Sequence, residues 1–264
     1  MQEPSALGRI VQLVRDLRTR CPWDAAQTPE TLRPYLVEEA LELDHAIAKA
    51  DPETIETELG DLFLHVAFQI VLAEEMGRFG AEDLTRSVEE KMWRRHPHLF
   101  PEEGKRQERQ RRQERQEKPT WEYAKLAEHG EHRPSVLDGL PPTLPALIMA
   151  FRLQERAAGV GFDWRNARGP LVKLREELGE LEQELQQGDA TQQLEEEIGD
   201  LIFAAVNLAR KLGCDPRAAL EKANAKFSER FRRLEELASE RGIEVGRAEL
   251  EVLEELWEEA KGSN

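Results

Sequence analysis

The chain has 264 residues, long enough for two domains of ordinary size. Its hydrophobic share of 39% can fill a core, and 53 acidic against 37 basic residues leave a formal charge of −16. That balance excludes general binding to nucleic acid or anionic membrane, because an acidic surface releases no counterions from a polyanion. No apolar run approaches the ~18 residues of a membrane span. The opening MQEPSALGRI has no basic and apolar signal regions. Two cysteines, Cys21 and Cys214, make no disulfide framework and read as packing residues. A cytoplasmic protein is expected.

Taken in chain order, amphipathic stretches predict helices over roughly 5–20, 33–49, 52–76, 81–95, 145–158, 170–187, 190–212, 216–240 and 247–261. Asp51-Pro52 and Asp215-Pro216 each supply an N-cap followed by a proline at the first helical position. Gly169-Pro170 opens a helix by the same logic, and Asp189 with Gln192 has the spacing of a capping box. No run of Val, Ile and Thr is bounded like a strand. The expected fold class is all-α.

The chain also repeats itself. CPWD at 21–24, VEEALELDHAI at 37–47, ETELGDLFLHVAF at 56–68 and EEKMWRRHPH at 89–98 have counterparts in order. These are VGFDW at 160–164, REELGELEQEL at 175–185, EEEIGDLIFAAVN at 195–207 and NAKFSERFRR at 224–233. Glu38 to Glu176 is a shift of 138, and Asp61 to Asp200 a shift of 139. Two copies of one four-helix unit are expected, at 1–100 and 136–264. Between them, 101–135 contains RQERQ twice, at 106–110 and 112–116, and is read as a charged, solvated linker or helical extension.

Each copy carries E-E-x-x-E followed 16 or 17 residues later by E-x-x-D: Glu38, Glu39, Glu42, Glu58 and Asp61, then Glu176, Glu177, Glu180, Glu197 and Asp200. Four specified acidic positions match by chance at roughly 0.4 placements in a chain this acidic, so one copy decides nothing. A second copy in register, each with Gly-Asp before an apolar run, is hard to obtain by accident. Spacing of three puts Glu39/Glu42, Glu58/Asp61, Glu177/Glu180 and Glu197/Asp200 on common faces, and a short connection makes the two helices antiparallel neighbours. Asp61 and Asp200 lead into LFLHVAF and LIFAAVN, which read as helices apolar nearly all round and therefore buried. Like charges at a buried edge require a cation, and an all-carboxylate set suits Mg²⁺, with Mn²⁺ as substitute. Glu-x-x-His occurs once, at Glu42 and His45, and has no counterpart after Glu180, so the paired Glu-x-x-His set of a di-iron bundle is not met. His65 has no counterpart in the second copy, where Ala204 stands, and reads as a packing residue. Lys91 and Arg95, repeated as Lys226 and Arg230, supply K-x-x-x-R pairs for phosphate oxygens.

These residues resemble the MazG nucleoside triphosphate pyrophosphohydrolase family over almost the whole chain. The resemblance is carried by CPWD at 21–24, YLVEEALE at 35–42, ELGDL at 58–62, RRHPHLF at 94–100, SVLDGLP at 135–141, VGFDW at 160–164, LEEEIGDL at 194–201 and KANAKFSERF at 222–231. It implies an all-α homodimer that hydrolyses nucleoside triphosphates to monophosphate and pyrophosphate with Mg²⁺. It implies metal ligation by Glu177, Glu180, Glu197 and Asp200. Catalytic roles fall on Glu176, Glu177, Lys226 and Arg230, and Glu176 is either a base or a support for the ligands. Nucleotide contacts fall on Lys173, Glu176, Glu177, Glu196, Lys226, Arg230 and Trp257. A possible second site in the first copy comprises Glu39, Glu42, Glu58, Asp61, Lys91 and Arg95. Trp257 on spacing alone reads as a packing anchor, and Trp23 and Trp164 as structural. Two alternatives stay open: a non-enzymatic acidic scaffold, and a hydrolase of the dUTPase type restricted to deoxynucleotides.

Overall fold

The computed structural model describes residues 5–96, 99–100, 135–187 and 191–262. The chain divides into two units, residues 1–117 and 118–264. Among the described residues every regular element is helical, as the sequence predicts. The linker expected at 101–135 lies outside the described residues except for Ser135, and so does the Asp189 cap. No described helix is long and apolar enough to cross a membrane.

The first unit holds α1 (Ala6–Arg20), the single turn α2 (Pro22–Ala25), α3 (Pro29–Lys49), α4 (Pro52–Glu75) and α5 (Ala81–Arg95). Ser5 caps α1 by accepting from the Gly8 N–H at 3.0 Å. Thr28 and Thr31 close a capping box that starts α3 four residues earlier than the periodicity indicates, with Pro34 carried inside the helix. Ala50, in the left-handed region at φ 54°, ends α3, and Asp51 caps α4 immediately after it. A connection that short returns α4 antiparallel along α3. Val11 and Val14 of α1, Leu32 of α3, and Ala67, Phe68, Val71 and Leu72 of α4 form the buried core. Two ion pairs lock α1 to the end of α4: Arg15 Nη2 to Glu74 Oε2 at 2.8 Å, and Arg18 Nη2 to Glu75 Oε2 at 2.6 Å.

The second unit repeats the plan with α6 (Ala146–Gly159), α7 (Arg168–Gln187), α8 (Thr191–Lys211) and α9 (Pro216–Glu240), and adds α10 (Leu250–Gly262). Helix α7 packs on α8, α8 on α6, and α9 on α10. Asp215 caps α9 by accepting from the Arg217 and Ala218 N–H groups, as its position before Pro216 predicts. Arg156, 3% exposed, donates from Nη1 to the carbonyls of Val136, Leu137 and Asp138 and so fixes the segment ahead of α6. Gly169 lies inside α7 rather than before it, and any Cβ there would collide with the Trp164 ring; that close approach is why glycine stands at the helix start.

Two expectations need correction. The helix carrying LIFAAVN is not buried all round: Ala204 and Val206 are buried, whereas Ile198, Ile202 and Phe203 are 46%, 50% and 41% exposed. Helices α6, α7 and α9 all contact α8, and these three side chains remain exposed among the described residues. Cys214 is exposed rather than packed, because it follows Gly213 (φ 72°) in the turn that reverses the chain between α8 and α9.

Candidate active site

In the second unit the antiparallel pair α7 and α8 brings one carboxylate oxygen each from Glu177, Glu180 and Glu197 within 4.8 Å of one another. Glu177 is 5% exposed, Glu197 half-buried and Glu180 exposed. Asp200, one turn beyond Glu197, is exposed and does not belong to this trio. A hydrogen bond to Glu177 holds the Glu180 carboxyl above the ordinary carboxylate range, and burial and the neighbouring charges of Glu177 and Glu197 act the same way. Opposing them, the Lys173 ammonium lies 2.7 Å from Glu177 Oε1 and 2.8 Å from Glu176 Oε1. Those two hydrogen bonds raise the Lys173 pKa. Glu176 and Glu196 are exposed on α7 and α8.

Lys226 and Arg230 stand on α9, which touches both α6 and α8. Neither forms an ion pair among the described residues, and Arg230 Nε is buried without a hydrogen-bond partner. Phe227, between them in sequence and 57% exposed, lies 5.3 Å from Trp257 at an interplanar angle of 46°. Trp257 packs against the cluster of Leu234, Leu237, Ala238, Leu256 and Ala260. The ring is therefore a packing anchor, as its spacing indicates, and it is only half-buried.

In the first unit the trio is Glu39, Glu58 and Asp61. Burial is the leading cause that raises the Glu39 carboxyl above its ordinary range, followed by the charges of Asp61, Glu42 and Glu58. Glu58 is raised by burial first and then by Glu42 and Asp61, and Glu42 also shares a hydrogen bond with it. His65 packs as expected, stacked on Tyr35 at 5.9 Å and tilted against Phe68 at 6.4 Å, yet its Nε2 also reaches Glu39 Oε1 at 3.7 Å. Burial lowers its pKa against the opposing charges of Asp61 and Glu38. Lys91 is half-buried on α5, with Arg95 at the end of the same helix.

One polar contact was not legible beforehand. Asp163 in the loop before α7 pairs with Arg210 Nη2 at 2.7 Å and Lys211 Nζ at 2.7 Å at the end of α8. The Arg210 hydrogen bond is the main cause that lowers the Asp163 carboxyl to about 2. The sequence shows only the separate parts, an acidic residue in the motif that opens each repeat and two adjacent cations in the last turn of a helix, and not that they meet.

Fold and site together define an all-α protein of duplicated helix pairs, each presenting clustered carboxylates. The MazG nucleotide pyrophosphohydrolase domain profile matches residues 27–100 and 170–234, the two segments that carry those pairs. The nucleoside triphosphate pyrophosphohydrolase of Escherichia coli (strain K12) is 42% identical over 263 residues, covering 99% of this chain and 98% of that protein. The nucleoside triphosphate pyrophosphohydrolase/pyrophosphatase MazG of Thermotoga maritima is 41% identical over 257 residues, covering 97% and 95%. That of Mycobacterium tuberculosis is 34% identical over 162 residues, covering 61% of this chain and 47% of that protein. The chain belongs to the MazG family.

Proposed function

We propose that the second unit hydrolyses nucleoside triphosphates to the nucleoside monophosphate and pyrophosphate, with Mg²⁺ held by Glu177, Glu180, Glu197 and Asp200. The single observation that supports this reading is the trio of mutually close carboxylate oxygens that includes buried Glu177. The donor set fits the ion: it is all oxygen, without histidine or cysteine, and suits Mg²⁺ or Mn²⁺ rather than softer metals. When bound, such an ion neutralises triphosphate charge and polarises the phosphoryl group under attack.

The remaining work falls to the chain's own side chains. Lys226 and Arg230 bind phosphate oxygens, and the unpartnered Arg230 Nε gains a hydrogen-bond acceptor when they arrive. The exposed part of Trp257, beside Phe227, stacks on the base. Water forms a bond to phosphorus as the bond to the departing pyrophosphate breaks, and the water's proton passes to Glu176 or a neighbouring carboxylate. No covalent nucleophile is required. The exposed apolar residues Ile198, Ile202 and Phe203 of α8 suit burial against a second copy, which supports a homodimer.

The test is pyrophosphate release from mixed nucleoside triphosphates, with and without Mg²⁺. Release that requires the ion and disappears in Glu180→Gln is expected, and no release under either condition sinks the reading in favour of a scaffold. UTP measured against dUTP separates a broad hydrolase from one selective for the sugar.

A further inference from the structure

Glu177 is a buried carboxylate whose charge is not left bare. Lys173, one turn earlier on α7, places its ammonium 2.7 Å from Glu177 Oε1 and 2.8 Å from Oε1 of the exposed Glu176. A carboxylate removed from water needs a compensating cation, and here the chain supplies its own. The same Glu177 belongs to the trio with Glu180 and Glu197. An ammonium and a divalent ion on one carboxylate repel each other strongly at such separations. The two cations therefore compete for it.

We propose that Lys173 is a positioning residue that acts as a resident counterion: it occupies Glu177 before the metal does, and it yields when a triphosphate offers the ammonium another anion. The inference rests on the metal reading above and adds to it an order of events. Metal and nucleotide then bind with positive coupling, because each relieves the conflict the other meets, and linkage makes that coupling reciprocal. The first unit lacks the device. At the position corresponding to Lys173 stands Tyr35, stacked on His65, so no lysine stands one turn ahead of Glu39 there.

The experiment uses the full chain without nucleotide and Mn²⁺ as the probe, with free Mn²⁺ read by electron paramagnetic resonance. Lys173→Met keeps most of the stem and removes the charge, and Lys173→Arg keeps the charge. Because Lys173 is partly exposed and solvent-screened, Lys173→Met is expected to bind Mn²⁺ about three- to tenfold more tightly than the unaltered chain. Lys173→Arg should stay close to the unaltered chain, and Glu177→Gln should abolish the gain in the double variant. A non-hydrolysable triphosphate should tighten Mn²⁺ binding more in the unaltered chain than in Lys173→Met. Mn²⁺ binding that depends on Glu177 but is no tighter in Lys173→Met overturns the inference alone. Binding indifferent to Glu177 in both backgrounds overturns the metal reading beneath it.

Discussion

The two units build the same helix pair and balance its carboxylates by different means. In the second, Glu177 faces an ammonium one turn away, and a hydrogen bond to Glu177 raises the Glu180 carboxyl above its ordinary range. In the first, Glu39, Glu58 and Asp61 converge with no lysine among them, and burial and mutual repulsion raise Glu39 and Glu58. The substitution is paired. Lys173 and Ala204 of the second unit stand where the first has Tyr35 and His65, two rings stacked at 5.9 Å with His65 Nε2 3.7 Å from Glu39 Oε1. A repeated scaffold thus keeps its acidic positions while the residues one turn away differ: an ammonium paired with Glu177 in one unit, an aromatic stack in the other. Helix α10, with Trp257, follows only the second repeat among the described residues.

The comparison breaks most visibly at the carboxylates themselves. Glu180→Gln is expected to lower pyrophosphate release about 100-fold or more, as loss of a group that organises transition-state charge does. Glu42→Gln, at the corresponding place in the first unit, should leave release within about twofold. Equal losses in initial-rate assays would make the first unit a second catalyst and erase the functional difference drawn here. A step smaller, Trp257→Ala should raise KM about tenfold with little change in kcat, since stacking on a base is worth ~1–3 kcal/mol. An unchanged KM would leave the ring its packing role against Phe227 and Leu256 only.

Much of this was legible in the sequence for a physical reason: helix periodicity, proline after an acidic cap, and E-x-x-E spacing are local signals, and duplication printed them twice. Local signals fail where a contact joins distant segments. Nothing near Asp163 says that Arg210 and Lys211 reach it, and nothing near Arg156 says that it holds three carbonyls about twenty residues earlier. Burial of α8 was misread because an apolar helix announces that its surface is to be covered without saying by what. Spacing also puts Asp200 on the face of Glu197, while the oxygens within 4.8 Å of one another are those of Glu177, Glu180 and Glu197.

The smallest expected effect sharpens the comparison at the loops that open the repeats. Both units tie that loop to a helix end through arginine, with opposite bookkeeping of charge. In the first, Arg18 of α1 donates to the carbonyls of Asp24 at 2.7 Å and Gln27 at 3.1 Å while pairing with Glu75. In the second, the loop itself carries the carboxylate, and Arg210 and Lys211 of α8 supply the cations. Asp163 is lowered from 3.8 to about 2, so its contribution is complete above pH 3.8 and is lost as the pH falls toward 2. Asp163→Asn should cost about 1 kcal/mol at pH 7 after discounting for solvent screening, a drop of a few degrees in Tm. That deficit should narrow steadily between pH 4 and pH 2, because the unaltered chain loses the same charge there. Arg18→Met should behave differently: the share of its deficit that comes from the Glu75 pair narrows in acid, but its two carbonyls lose their donor whatever the pH, so a deficit should persist there. Thermal unfolding of both variants across that range reads the contrast directly, and a pH-independent Asp163→Asn deficit would show that the loop is held by shape rather than by charge.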